Sequence, residues 1–467
     1  MAYHGQSIVP SASTLRRNIM KCFRFFLAVL CSLFLNSSLS AQGANERTES
    51  NPSGDWILIT NVYGESLSER LSLKLEKSEL SGTLFRDEGA ALKGSLKGQE
   101  ILFSFKESGG DQSEYKGRIT GGALAGAYTS IGTNGDRTTG TWSAKRIPAR
   151  PSGGPHRVEF VPKTFYRAFS SATDPVLHIW PGDTVHTTSV DAGGTDEKGV
   201  TRVLGGNPLT GPFYVETAMP GDVLAITIKK LNLNRDWAIS DKGLVDRAMT
   251  TDYAAKNKQD WSDTRWHLDL EKGIATLEKP SEAMKDFAVP VHPMLGCVGV
   301  APGFGNAAMG SGDSGYFGGN MDFNQIAERT TLYLGVSQPG ALLYVGDGHA
   351  LQGDGELNGN ALETSMDIDF SVEVLQKKSI DTPRAENADF LMAIALSGSL
   401  DSAFSRATSE LATWLQNDYK LSSSDVAAVL GTSIQYSVSE VADRNVGVVA
   451  KISKKALATL KPATTAK

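Results

Sequence analysis

The chain has 467 residues, of which 40% are hydrophobic and 21% are charged, a composition typical of globular proteins. This length provides for about two to four domains. The 48 glycines fall in short clusters without a three-residue period, which excludes collagen and favours turn-rich β structure. The formal net charge is −6, and an acidic chain repels phosphate backbones, so we expect no nucleic-acid binding.

The first 41 residues are typical of a secretory signal peptide. Lys21 and Arg24 precede an apolar run at 25–35, and small polar residues follow as far as Ala41. The run is too short to span a bilayer, so no membrane span is expected. Met20 is an alternative start. We therefore expect cleavage near Ala41 and a periplasmic or secreted protein, whose one remaining cysteine is too few for an internal disulfide.

Residues 52–147 are predicted to form a small antiparallel β-sandwich or barrel. Short runs of alternating polarity are separated by glycine-containing turns about every ten residues. Trp56 and Trp142 are expected in its core, and no group of titratable residues accompanies them. We therefore expect this domain to bind a partner or support the fold. Residues 148–155, rich in proline and glycine, are interpreted as a linker.

Residues 156–455 are predicted to form a large, mostly-β domain with C-terminal helices, which makes the chain α+β. Apolar residues alternate with polar ones from Met366 to Val374, and this period predicts a half-buried antiparallel strand. Apolar residues three and four apart from Leu400 to Leu415 predict a helix. The polar residues at 422–425 predict the N-cap of a second, shorter helix.

Acidic residues, histidine and glycine concentrate between residues 310 and 370. Asp347 and His349 lie two residues apart at a predicted strand end and would project to the same side if the backbone stays extended, and this pair suits Zn²⁺ or a similar divalent ion. The alternative is that Asp347 caps a turn while His349 hydrogen-bonds locally. Asp354 and Glu356 resemble the start of an EF-hand loop, but Ser365 stands where the twelfth position needs Glu, which leaves only an irregular calcium site.

Several other residues invite a chemical interpretation. Ser314 lies in a GDSG sequence, but the histidine and cysteine context of trypsin-like proteases is missing. Cys297 has small and apolar neighbours, which favour a buried structural thiol over a nucleophile. Asp183 and Asp222 each follow a Pro-Gly pair, and we expect both to close turns.

Motifs between His156 and Leu430 resemble the acetamidase/formamidase family. They are PGDTV with VDAGG, NPLTGPFYVETAMPGD, HPMLGCVGVAP, GGNMDF, and GDGHALQGDGE followed by ALE. The resemblance implies a metal-dependent α+β amidase that hydrolyses short linear amides, such as formamide or acetamide, to carboxylate and ammonia. It also implies zinc in the active site, structural calcium elsewhere, and a homo-oligomer that is a dimer or larger.

Carried over by position, the resemblance implies a divalent metal ion at His349, Asp322 and Asp347, with Glu363 or Asp191 as the catalytic base. Further candidates for substrate binding are His186, Glu216, Asp354 and Glu356. The signal peptide and the N-terminal β-domain depart from compact family members. Two alternatives therefore stay open: an exported hydrolase of a larger amide, and a binding protein with a degenerate site.

Overall fold

The computed structural model describes residues 51–85, 89–303, 305 and 308–460. The predicted signal peptide lies outside these residues. Within the described part, β-strands dominate, and no helix is both long and apolar enough to cross a membrane.

The N-terminal β-domain is a closed antiparallel barrel of eight strands. Its strands are β1 (Gly54–Val62), β2 (Glu65–Glu76), β3 (Glu79–Phe85), β4 (Ala90–Lys97), β5 (Glu100–Lys106), β6 (Gln112–Thr120), β7 (Ala123–Ile131) and β8 (Arg137–Arg146). Each strand pairs with the next, and β1 also pairs with β8, which closes the barrel.

Side chains fill the barrel interior. Trp56 and Trp142 are buried there as predicted, and the rings of Phe103 and Tyr115 stack with centroids 4.8 Å apart. Offset stacked and edge-to-face aromatic pairs add to the stabilisation from apolar burial. The interior is therefore a hydrophobic core of its own, built from the apolar positions of the alternating strands.

The strands from residue 157 to 299 are β9 (Arg157–Glu159), β10 (Ala168–Ser170), β11 (Leu177–Ile179), β12 (Thr184–Thr188), β13 (Leu209–Val215), β14 (Val223–Leu233), β15 (Trp237–Asp241), β16 (Asp263–Asp269), β17 (Ile274–Leu277), β18 (Ala288–Pro290) and β19 (Met294–Gly299). The later strands are β20 (Ala308–Gly310), β21 (Ser314–Gly315), β22 (Gly318–Asn320), β23 (Thr331–Gly335), β24 (Leu343–His349), β25 (Glu363–Thr364), β26 (Met366–Leu375), β27 (Arg384–Glu386), β28 (Phe390–Ser397), β29 (Ile434–Val438) and β30 (Val446–Ser453). The α-helices of the described residues are α1 (Thr251–Lys256), α2 (Leu400–Tyr419), α3 (Ser423–Ser433) and α4 (Lys454–Leu457), and two 3₁₀-helices cover Asp246–Ala248 and Glu282–Met284.

Most of these strands form two large sheets. The first has the order β29-β30-β28-β27-β23-β14-β26-β12-β9. The second has the order β18-β17-β16-β15-β25-β24-β19-β22-β21, and β13 joins it by pairing with β24 and β11. Apolar residues of both sheets belong to one hydrophobic core, in which the rings of Phe213 and Phe370 lie 5.4 Å apart.

The predicted elements of the large domain are confirmed. Met366, Ile368, Phe370 and Val372 are buried on one face of β26, with half-buried polar residues between them. In the predicted helix, α2, Ala403, Ala407, Leu411, Trp414 and Leu415 are buried, and α3 begins at a capping box between Ser422 and Asp425. Leu400 and Phe404, both expected on the buried face of α2, are 40% and 47% exposed, and Phe404 contacts Tyr436 of β29 instead.

Both Pro-Gly-Asp turns close as predicted, and the second one also contacts the N-terminal barrel. Asp183 accepts from the backbone N–H of Trp180, and Asp222 accepts from that of Met219, as the turn prediction requires. In addition, Arg70 of β2 donates to Asp222 at 2.7 Å, and this ion pair is fully buried. Residues 147–156 form neither helix nor strand. The exact domain boundaries stay predictions.

Candidate metal centre

Adjacent strands of the second large sheet bring the candidate residues together. β24 ends with Asp347 and His349, and His349 lies opposite Glu363 of β25. On its other side β24 pairs with β19, which pairs with β22, and Asp322 follows β22 by two residues. Glu356 lies in the loop from β24 to β25. Residues distant in sequence therefore meet at one end of four neighbouring strands.

Three of the acidic residues have left-handed backbone conformations. The φ angles of Asp322, Asp347 and Glu356 are 41°, 57° and 47°. Such angles are uncommon for residues with a side chain, and they concentrate at functional sites, where the surrounding structure holds them. The backbone is thus shaped to direct these carboxylates.

The side chains form a buried group of potential metal ligands. Ligand atoms of Asp322, Asp347 and His349 lie within 4.8 Å of one another, and so do those of His349, Glu356 and Glu363. His349 Nε2 lies 3.5 Å from Asp347 Oδ2 and 3.2 Å from Glu363 Oε1. All five residues are at most 6% exposed. The predicted approach of His349 to Asp347 is therefore present.

Several atoms of this group have no hydrogen-bond partner although they are buried. They are Asp322 Oδ1, Asp347 Oδ1, His349 Nε2 and Glu363 Oε2. A buried polar atom without a partner costs about 1–3 kcal/mol, and more when it is charged. Gly296 leaves the space between the two aspartates open, because a Cβ there would lie 2.4 Å from Asp322 Oδ1 and from Asp347 Oδ2. Unpaired oxygen and nitrogen atoms around an open space are what a divalent cation requires.

Gln352 determines which nitrogen of His349 faces the group. The Gln352 amide N–H donates to the backbone oxygens of Asp322 and Ser439, so its Oε1 is the atom that faces His349 Nδ1 at 2.9 Å. An amide oxygen only accepts, and Nδ1 must therefore carry the hydrogen. In the neutral imidazole, Nε2 then offers a free lone pair to a metal ion.

Negative charge accumulates in this buried group. Burial raises the pKa of Glu363 to about 7, and it raises the pKa values of Asp322 and Glu356 well above their ordinary range. Burial alone would lower the pKa of His349, but the negative charges of Glu363 and Asp347 outweigh it and raise that pKa well above 6.5. Without a cation the group therefore retains protons, because several negative charges cannot stay unpaired in a buried space.

Asp191, the second candidate for the base, is engaged elsewhere. Its carboxylate forms a buried ion pair with Arg235 at 2.7 Å and accepts from the backbone N–H of Thr195. Arg235 also donates to the backbone oxygen of Glu363. Asp191 therefore holds Arg235, and Arg235 in turn supports the backbone of Glu363.

Three of the four substrate-binding candidates are not part of the buried group. His186 hydrogen-bonds Asp369 at 2.5 Å, on the first large sheet. Glu216 pairs with His178, which is largely exposed. Asp354 is exposed. Glu356 is the one candidate of the four that the structure brings to His349.

Sequence reasoning missed several polar residues that support the centre. They are Gln352, Asn320, Asn207, Asp443 and Arg235. The first three lie inside the quoted motifs GDGHALQGDGE, GGNMDF and NPLTGP, so their position within those motifs was the available signal. Asp443 accepts from Asn320 Nδ2 at 2.5 Å and comes from the loop between β29 and β30, which carries none of those motifs.

Cys297 lies beside this group, with its Sγ 3.7 Å from Asp347 Oδ2, but it is not one of the five potential ligands. Cys297 is fully buried, as predicted, and burial raises the pKa of its thiol well above 9. A cavity of about 850 Å³ lies near the C-terminal end of α2, lined among others by Tyr333, Arg384 and Trp414. None of the five potential ligands lines that cavity.

Comparisons with known proteins agree with this geometry. A model of the Acetamidase/Formamidase family matches residues 314–453, a range that includes all five potential ligands. The likeness to this family is confirmed. No curated protein is significantly similar to the chain.

Solved structures extend the likeness over about two thirds of the chain. A predicted acetamidase/formamidase from Thermoanaerobacter tengcongensis is 28% identical with a TM-score of 0.55, over 65% of this chain and 98% of that one. An acetamidase from Bacillus halodurans is 25% identical with a TM-score of 0.56, over 65% and 99%. An acetamidase from Yersinia enterocolitica is 26% identical with a TM-score of 0.57, over 66% and 94%. Family and structures together support an enzyme of the amidase class, which hydrolyses amide carbon–nitrogen bonds.

Proposed function

We propose that this protein is an exported, metal-dependent amidase that hydrolyses short linear amides to carboxylate and ammonia. The observation that carries the proposal is the buried group of Asp322, Asp347 and His349, whose unpaired atoms converge on one space. The similar structures are named as acetamidases, and one as a predicted acetamidase/formamidase, which supports formamide-like and acetamide-like substrates.

The donor atoms suit a divalent ion, and zinc is the metal we propose. Asp322 and Asp347 each offer a free carboxylate oxygen, and His349 offers Nε2. Mixed nitrogen and oxygen donors are ligands that Zn²⁺ accepts in catalytic sites. When bound, such an ion acts as a Lewis acid on a carbonyl oxygen and lowers the pKa of water. Calcium elsewhere and assembly into a homo-oligomer also belong to this proposal, on the family likeness alone.

Glu363 is the proposed proton carrier. Its pKa of about 7 lets it accept a proton near neutral pH and return it, and its Oε2 has no other partner. An amide nitrogen leaves readily only after it is protonated, so the same carboxyl can take a proton from the attacking water and deliver it to the departing nitrogen. Asp191 is held by Arg235, and we therefore favour Glu363 over Asp191 for this role.

Burial of the site favours small substrates. The five potential ligands are at most 6% exposed, so only a small group fits beside them without rearrangement of the surrounding loops. This supports a short amide over the larger amide considered as the alternative.

His349→Ala tests the proposal. We expect bound metal and amide turnover to be lost together while circular dichroism stays native, because the variant removes the only imidazole among the proposed ligands. The matched control is His267→Ala, which removes an exposed histidine of β16 and should keep both. Ammonia release is measured over a panel from formamide to longer amides. Turnover that survives in His349→Ala contradicts the metal role, and a preference for long amides contradicts the proposed substrate class.

A further inference from the structure

Two asparagines hold the aspartates of the candidate centre, and the proposed function gives neither a role. Asn320 ends β22, and Asn207 precedes β13. Asn320 Nδ2 donates to Asp322 Oδ2 at 2.6 Å and to Asp443 Oδ2 at 2.5 Å. Asn207 Nδ2 donates to Asp347 Oδ2 at 3.3 Å and to Asn320 Oδ1 at 2.8 Å. The two amides thus form a short ladder beside the group.

The orientation of the Asn320 amide is fixed by its neighbours. Its Oδ1 accepts from Asn207 Nδ2 and from the Cys297 thiol, whose Sγ lies 2.6 Å away. A reversed amide would point its N–H groups at another N–H donor and its oxygen at two carboxylates. All four hydrogen-bonding positions of Asn320 are therefore filled in only one orientation.

The ladder contacts one oxygen of each aspartate and leaves the other free. Asp322 Oδ2 and Asp347 Oδ2 receive the amide N–H groups, whereas both Oδ1 atoms are buried and have no partner. A carboxylate that is hydrogen-bonded through one oxygen is restrained in rotation, and its other oxygen keeps a fixed direction. At the space beside Gly296, the nearest oxygen of Asp322 is the unpaired Oδ1, whereas the nearest oxygen of Asp347 is Oδ2, which Asn207 contacts and which lies 3.5 Å from His349 Nε2.

We propose that Asn320 and Asn207 are positioning residues, which hold the carboxylates of Asp322 and Asp347 in place beside the metal ion. This inference rests on the proposed function, since it requires the ion. Through Asp443, Asn320 also ties the loop between β29 and β30 to the site, and Arg247 holds that loop by donating to the backbone oxygens of Val441 and Asp443.

The test is the affinity of the metal-free protein for Zn²⁺ in competition with a chromogenic chelator. We expect Asn320→Ala to weaken the affinity by about 10–100-fold, because supporting partners of metal ligands have effects of that size. Asn207→Gly should act in the same direction by a smaller factor, since its contact with Asp347 is longer. Glycine is chosen because Asn207 has a φ of 54°. This second variant keeps the test valid should Asn320→Ala fold poorly.

Asn234→Ala is the matched control. Asn234 also donates its amide to a carboxylate, Asp367, at 3.0 Å, but that aspartate lies outside the group of potential ligands. The Zn²⁺ affinity of Asn234→Ala should equal that of the protein without substitutions. The absorption spectrum of bound Co²⁺ gives a second readout, which should change in Asn320→Ala and not in Asn234→Ala, because a purely structural role would lower thermal stability without altering the ligand geometry.

The outcomes separate the two proposals. One outcome is that the protein without substitutions binds zinc while Asn320→Ala and Asn207→Gly keep affinities within twofold of it. That result overturns the positioning role and leaves the amidase proposal intact. Unchanged protein that binds no zinc overturns both. The inference is supported by weaker Zn²⁺ binding and a changed Co²⁺ spectrum in Asn320→Ala and Asn207→Gly but not in Asn234→Ala.

Discussion

Gly296 lies in β19, directly beside the two aspartates of the candidate centre. Because a Cβ would lie 2.4 Å from an oxygen of each, Gly296→Ala must displace both carboxylates. We expect zinc affinity and amide turnover to fall by at least about tenfold, measured by chelator competition and ammonia release. Gly431→Ala is the control, since nothing lies within 4 Å of a Cβ there and the helix α3 favours alanine. Equal zinc affinity in Gly296→Ala would contradict the location of the site.

Glu363→Gln separates proton transfer from metal binding. Glutamine keeps the size and a hydrogen-bonding oxygen but cannot carry a proton between water and nitrogen. We expect kcat to fall by about 10²–10⁴-fold, with the metal content and the circular dichroism of the unchanged protein. The measurement is ammonia release alongside metal analysis of the same sample. A variant that keeps full kcat would show that another group carries the proton.

At the residue scale, sequence reasoning found the residues whose spacing implies proximity. Asp347 and His349 are two apart in sequence, and their side chains approach to 3.5 Å. The strand period pointed to this pair, but Asp347 has a φ of 57°, so the backbone between them is not the extended one that the prediction assumed. The supporting residues are different: Asn207 reaches Asp347 across 140 positions, and Arg235 reaches Asp191 across 44. No local pattern encodes such contacts, because they depend on which strands become neighbours in the sheet.

The buried Arg70–Asp222 pair connects two elements, the barrel strand β2 and the turn before β14. Both side chains are at most 2% exposed, and removal of one partner leaves the other charged and buried. We expect Arg70→Ala to lower the free energy of unfolding by about 3–5 kcal/mol. Chemical denaturation measures it. Lys74→Ala, which removes a largely exposed ion pair with Glu76, should leave stability unchanged. An Arg70→Ala variant that is as stable as Lys74→Ala would contradict this role of Arg70.

At the element scale, periodicity predicted individual strands and helices but not their order. The alternation in β26 indicates a strand with one buried face, yet it carries no information on its neighbours, β14 and β12. Phe404 shows a related limit. Its helical spacing groups it with the buried residues of α2, but in the structure it is exposed and contacts Tyr436 of β29. Element type follows from local pattern, and pairing follows from the whole chain.

For the molecule as a whole, we expect the stability of the metal-free protein to fall as pH rises. Burial raises the pKa of Glu363 to about 7 and that of Glu440 to about 8, whereas both return to about 4.5 on unfolding. The folded protein therefore binds more protons than the unfolded chain. The stabilisation that these two carboxyls contribute is complete below pH 4.5 and is lost as pH rises through 7 and 8. The loss should be on the order of a few kcal/mol, measured by thermal unfolding at pH 5.5 and pH 8.5.

Glu440→Gln provides the control for this dependence. It removes one of the two carboxyls with raised pKa and should weaken the pH dependence above pH 7. Saturating zinc should weaken it further, because the ion replaces the protons held by the centre. Metal-free protein that is more stable at pH 8.5 than at pH 5.5 would contradict the electrostatics described for the buried carboxylates.

The central claim is that one buried divalent ion enables amide hydrolysis. The most direct test measures the metal content of the purified protein and its ammonia release from formamide and acetamide, before chelation, after chelation, and after zinc is restored. We predict at least one equivalent of metal per chain, loss of turnover on chelation, and recovery with zinc. Full turnover in a protein shown to contain no metal would contradict the account.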